Sequence, residues 1–118
     1  MRKDKAYLQD ILDAISDIEK FAEGVSKDEF YENREKQYAV LRALEIVGEA
    51  TKNLSKEVRG KYRRIPWMDI AGMRDKLIHF YFGVKLDLVW QTVRGKLPEL
   101  KVQIQEILEE MKKIEEKE

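Results

Sequence analysis

Arg74-Asp75-Lys76-Leu77-Ile78-His79-Phe80-Tyr81 brings an arginine, a carboxylate, the one histidine of the chain and a phenol into a single short run. Histidine titrates near neutrality without help, so it can take or give a proton at working pH. On a helix, Asp75 and His79 lie one turn apart on the same face, where the carboxylate can accept from the imidazole and fix its tautomer. Arg74 and Tyr81, seven positions apart, lie nearly in line. Arg74 and His79 are separated by about 140° and would flank a groove wide enough for a phosphate or another small group. Two copies of the same helix facing each other across a two-fold axis would instead pool their groups into one composite site. A histidine beside an aspartate is also a common structural pair, and an arginine nearby a common surface charge. Spacing by itself leaves both readings open.

The rest of the chain bounds what such a site could be part of. At 118 residues it is read as one domain, residues 1–118, able to bury roughly two-thirds of its unfolded surface. Without cysteine there can be no disulfide and no thiol nucleophile, and a zinc site would have to lean on carboxylates. No metal or other cofactor is expected. The charged start Met1-Arg2-Lys3-Asp4-Lys5 is followed by no long apolar run, so neither a signal peptide nor a membrane span is expected, and a cytoplasmic location is the default. Formal net charge is zero, but eight basic residues fall between Lys52 and Lys76 against three acids, Glu57, Asp69 and Asp75. A local basic patch beside the histidine run follows, of which Lys61, Arg63, Arg64 and Lys76 are candidates to touch a phosphate, although such a run is usually a solvated connector.

The elements that must position these groups all read as helix. Leu8, Ile11, Ile15, Ile18 and Ala22 form an apolar stripe over residues 4–23. A short acidic element over Lys27–Glu32 leads to a long helix from Arg34 to Arg59, with Val40, Leu44, Val47, Thr51, Leu54 and Val58 as its stripe and Gly60 as its stop. Lys61–Ile65 reads as a basic connector. Pro66 suits the first turn of a third helix, where its missing N–H costs nothing, and that helix is expected to run through His79 to Tyr81. Phe82-Gly83-Val84 breaks it. A shorter helix covers Leu86–Arg94, Gly95 stops it, and Pro98 opens a last helix striped by Leu100, Ile104, Ile107, Met111 and Ile114. Trp67 and Trp90 are expected to pack rather than to stack on bases. Gly72, inside the third helix, is costly there unless another helix or subunit approaches closely. The expectation is an all-α, antiparallel bundle of four to five helices.

Several pieces between Tyr38 and Trp90, taken in order, resemble the HepT-like branch of the HEPN superfamily. They are Ala43-Leu44-Glu45-Ile46-Val47-Gly48-Glu49-Ala50, Ile65-Pro66-Trp67, Gly72-Met73 with the run from Arg74 to Tyr81, and Phe82-Gly83-Val84. Arg-x4-His alone carries little information. With the trailing tyrosine, the Gly-Glu-Ala piece and the Pro-Trp helix start it becomes specific. Lys85 departs from the pattern, which would place an acidic residue there.

The resemblance implies a HEPN-like homodimer acting as a metal-independent endoribonuclease toxin, its active site formed at the dimer interface. It further implies a partner, a minimal nucleotidyltransferase antitoxin, that silences the toxin by AMPylation of the motif tyrosine, as in type VII toxin–antitoxin pairs. Carried over, Arg74 and His79 are the catalytic pair, Tyr81 the modification site, Asp75 an orienting group and Glu49 a supporting one. The rival reading is a non-catalytic, nucleotide- or substrate-binding partner subunit of such a nucleotidyltransferase. A third makes the segment a dimerisation helix whose polar groups satisfy one another.

Overall fold

Leu8, Ile11 and Ile15 have no exposure to solvent and Ile18 almost none, which makes α1 (Arg2–Ala22) the helix around which the others assemble. The computed structural model describes residues 2–78 and 85–117, all of whose regular elements are helical. α3 (Arg34–Lys52) covers one side of α1 and α8 (Leu97–Lys117) another. Polar contacts give their directions. Lys36 Nζ, at the start of α3, donates to the Phe21 carbonyl at the end of α1. Asp4, in the first turn of α1, accepts from Ser55 just beyond the end of α3. Lys5 pairs with Glu115, and Glu19 with Lys101, so α8 also runs antiparallel to α1. The expected all-α antiparallel bundle is therefore what forms. Among the described residues no helix is long and apolar enough to cross a membrane.

The predicted stripes form most of the core. Val40, Leu44, Val47, Thr51, Leu54 and Val58 are all buried, as are Leu100, Ile104 and Ile107; Met111 is partly buried and Ile114, near the end of α8, emerges to 41% exposure. α2 (Lys27–Glu32) is capped by Ser26 and contributes the buried Phe30. Trp90 stacks obliquely on Phe30, their ring centroids 5.3 Å apart, and the Arg94 guanidinium lies 4.6 Å from the centroid of the Trp90 ring. Both tryptophans pack, as expected.

Four boundaries differ from the sequence reading, each for a local reason. The long helix expected from Arg34 to Arg59 divides at residues 53–55, where Asn53 caps α3 and Ser55 caps α4 (Lys56–Lys61), so Gly60 lies inside a helix rather than ending one. The break is held by Asp4, buried at 4% exposure, whose carboxylate accepts from the Ser55 backbone N–H at 2.8 Å and from its hydroxyl at 2.7 Å. The third helix starts one residue late. Pro66 sits at φ −78° and ψ 72°, an inverse γ-turn closed by Trp67 N–H donating to the Ile65 carbonyl at 2.8 Å.

Gly72 then separates α5 (Trp67–Ala71) from α6 (Met73–Ile78). Among the described residues, a Cβ there would meet the chain's own Met68 and Asp69 carbonyls, at 3.3 and 3.9 Å, and not a crossing helix. The glycine serves the bend. The end of this helix at Tyr81 and the break at Phe82-Gly83-Val84 lie outside the described residues. Finally, Gly95 does not stop anything. α7 (Leu86–Gln91) passes through a π-helical turn, Thr92–Lys96, directly into α8. Leu97 N–H reaches back five residues to the Thr92 carbonyl. A proline ring clashes with the carbonyl four residues before it, here that of Arg94, and widening the turn accommodates Pro98 without breaking the helix. The Arg94 side chain donates to the Ala22 and Val25 carbonyls, closing the C-terminal end of α1.

Asp4 should matter well beyond its place near the terminus. Removing a buried hydrogen-bonded carboxylate costs about 1–3 kcal/mol. Asp4→Ala is expected to lower the thermal midpoint by about 4–12 °C at this chain length, with Asp4→Asn intermediate, as followed by circular dichroism. An unchanged midpoint in Asp4→Ala would remove this contact as the cause of the helix break.

Candidate active site

The candidate motif is carried by a short stack: α5 and α6 both lie against α3. Trp67 anchors the stack. Its ring is buried and its indole N–H donates to the Tyr62 carbonyl at 3.0 Å, tying α5 to the connector before it. Ile70 and Met73 bury the inner face of the pair. Arg74 belongs to the first turn of α6, followed by Asp75 and Lys76, both exposed. His79 and Tyr81 lie outside the described residues, as therefore does the expected Asp75–His79 hydrogen bond. Glu49 faces solvent near the end of α3, where its main-chain carbonyl accepts from the Asn53 amide at 2.9 Å. Among the described residues no cluster of three or more carboxylates or imidazoles stands ready to hold a metal ion.

The predicted basic patch splits in two. Arg64 and Lys76 stand on the rim of a cavity of about 330 Å³ between the α5–α6 pair and the α7–α8 run. Its floor is apolar, from Ile70, Met73, Leu97 and Leu100. A third cation on the rim, Lys96, was missed in the sequence because Gly95 was read as a stop. Read as continuous helix, Lys96, Leu100 and Gln103 share a face at i, i+4 and i+7, and all three line the cavity. Two acids, Asp69 and Glu99, complete the rim, and Lys76 lies 3.9 Å from Asp69. Arg63 is exposed on the connector outside this lining.

Lys61 turns elsewhere. Its ammonium sits 3.3 Å from Glu110, about 10 Å further along α8, and 5.6 Å from the Tyr62 ring centroid. Hydrogen bonding to Glu110 raises the lysine above its usual 10.5. Tyr62 is raised above its usual 10.0 by burial first and by the Glu110 carboxylate second. Its hydroxyl is buried and makes no well-formed hydrogen bond among the described residues. Lys61 thus has an ion pair that Arg64 and Lys96 lack among the described residues, which weakens it as a phosphate contact.

Comparison with known proteins places these features in a family context. A family model described as "Ribonuclease HepT-like" matches residues 11–107. A Methanocaldococcus jannaschii protein named "Putative RNase" is 45% identical over 107 residues, 91% of this chain and 88% of its own. A protein of the same description from Caldanaerobacter subterraneus is 44% identical over 112 residues, 95% of this chain and its own full length. A Thermococcus cleftensis protein named "Probable ribonuclease HepT" is 46% identical over 100 residues, 85% of this chain and 91% of its own. No solved structure matches at a significant level.

The cluster of Lys61, Tyr62 and Glu110 has a pH signature. Lys61 and Tyr62 both hold their protons more tightly folded than unfolded. Their contribution to stability is thus complete below about pH 10 and is lost as pH rises through the raised values. Ultraviolet titration should show a late-ionising tyrosine, and Glu110→Gln should bring it part of the way back toward 10.0, the share left by burial remaining. A Tyr62→Phe protein with the same late-titrating tyrosine would rule out this assignment.

Proposed function

The chain belongs to the HepT-like ribonuclease family, and from that premise we propose that it is an endoribonuclease toxin whose site is the Arg74-x4-His79-x-Tyr81 motif. The observation that carries the proposal is the match to the ribonuclease family over residues 11–107, which spans the motif. Arg74 lies in the first turn of α6, a helix that packs against α3. The reaction needs no metal. A base takes the proton of the ribose 2′-hydroxyl, the 2′-oxygen bonds to phosphorus, and the P–O5′ bond breaks. An acid returns a proton to the leaving O5′, and the products are a 2′,3′-cyclic phosphate and a 5′-hydroxyl. A single histidine cannot easily serve both sides of phosphorus. Two copies of His79 in a homodimer serve as base and acid, and Arg74 neutralises the charge that builds on the non-bridging oxygens. Asp75 orients the imidazole, and Glu49 supports the motif from α3.

In this reading a minimal nucleotidyltransferase is the antitoxin. Transfer of AMP to Tyr81 adds bulk and negative charge beside Arg74, where the substrate phosphate must bind, and so silences the enzyme. The tyrosine oxygen attacks the α-phosphorus of ATP, and pyrophosphate leaves with its electron pair.

Three measurements test the proposal. Loss of general acid–base catalysis should make His79→Ala cleave RNA about 10²–10⁴-fold more slowly while sedimenting as the parent does. Cleavage by the parent should survive EDTA. Growth arrest on expression should vanish with His79→Ala. Parent protein shown by mass spectrometry to carry unmodified Tyr81, and yet leaving RNA intact, would sink the nuclease. If that protein bound nucleotide in an Arg74-dependent way, it would be a partner subunit instead.

A further inference from the structure

The cavity beside α6 has a make-up that neither catalysis nor folding accounts for. Its floor is apolar, yet its rim carries Arg64, Lys76 and Lys96 against Asp69 and Glu99, an excess of one positive charge. Lys76 is partly offset by Asp69. Arg64 and Lys96 are exposed and have no ion pair among the described residues. A core defect would have no reason to gather cations, and a purely apolar partner would leave them unpaired. At about 330 Å³ the space falls at the small end of ligand sites, which run from about 300 to 1,000 Å³. That suits one compact unit with a flat apolar part and an anionic part.

A nucleotide is such a unit. We propose that this cavity is an RNA subsite that takes a single nucleotide next to the scissile bond, a proposal that rests on the ribonuclease reading above. The base enters over Leu88 and Leu100, where the Gln103 amide can meet its edge and the Arg64 guanidinium can cover its face. The phosphate lies at the rim between Arg64 and Lys96. The cavity adjoins the motif in the chain: Met73 forms part of its wall and Arg74 is the next residue of the same helix. Splaying one base into a side pocket is how single-stranded RNA is commonly held. Here it would orient the adjacent phosphodiester toward Arg74. The subsite is built jointly by α6 and by the π-turn, so neither element makes it alone.

Two substitutions separate the two halves of the subsite, and both are at exposed positions, which spares the core. Lys96→Ala removes the phosphate contact. Leu88→Trp fills the slot with an indole. Binding is read by fluorescence anisotropy of a labelled single-stranded oligoribonucleotide, in a His79→Ala background that prevents cleavage, with folding checked by circular dichroism. Lys96→Ala should weaken binding about 3–10-fold and reduce the slope of log affinity against log salt by about 0.7, the value for one phosphate contact on a single strand. Leu88→Trp should weaken binding comparably with the slope unchanged. Parental affinity and slope in both variants overturn the proposal. So does a change in sedimentation without a change in RNA affinity, because the cavity is then covered by a second copy of the chain. Free AMP that binds in a Lys96-dependent manner without displacing the oligoribonucleotide assigns the cavity to a free nucleotide and overturns the RNA assignment. If parent cleaves RNA and both variants keep its KM, this subsite fails alone. If parent neither binds nor cleaves, the ribonuclease reading fails and the subsite with it.

Discussion

One helix that must be covered on two sides organises this molecule. α1 presents Leu8, Ile11, Ile15 and Ile18 to the interior and cannot satisfy them with a single neighbour. α3 and α8 therefore lie against it in opposite sense to its own direction. Fully burying side chains of this kind is worth about 1.5–3 kcal/mol each, far more than the exposed ion pairs along the same seam, each worth about 0–1 kcal/mol. The hydrophobic stripe thus sets the assembly, and Lys5–Glu115 and Glu19–Lys101 only mark its register. Everything concerned with chemistry is one step removed from that core. α5 and α6 ride on α3, and the cavity opens where this stack meets the α7–α8 run.

Periodicity exposed the core because burial and helix geometry act together at every turn. Val40 to Val58 and Leu100 to Ile107 are buried as their spacing requires. Punctuation was less legible. Gly60 and Gly95 are helix breakers only by propensity, at about 1 kcal/mol against alanine, and neighbouring hydrogen bonds outweigh so small a preference. The real break at residues 53–55 depends on Asp4, some fifty positions away, and no local pattern announces such a partner.

The candidate site divides in the same way. Arg74, Asp75 and Lys76 were legible as members of one helix because they are adjacent in sequence. Lys61, Arg63 and Arg64 looked equivalent as a basic run, but a helix end separates them in space. Lys61 finishes α4 and meets Glu110, whereas Arg64 sits past the turn and reaches the cavity. Lys96 joins Arg64 only through the tertiary fold. Charge counts along a chain predict that a patch exists; they do not predict which of its members already have a partner.

The π-turn at Thr92–Lys96 imposes a constraint of another kind. It inserts about one residue into a helical run, so every side chain after it is set back by about 100° relative to an uninterrupted helix. α7 can then point Trp90 at Phe30 on α2 while α8 points Leu100, Ile104 and Ile107 toward the bundle core. Gly95 meets nothing that a methyl group would disturb. At Gly95, then, the identity of the residue is negotiable; the width of the turn is not. Tightening the turn to α-helical geometry without removing a residue would rotate the whole of α8 by about 100° and carry it out of phase with the helix it covers.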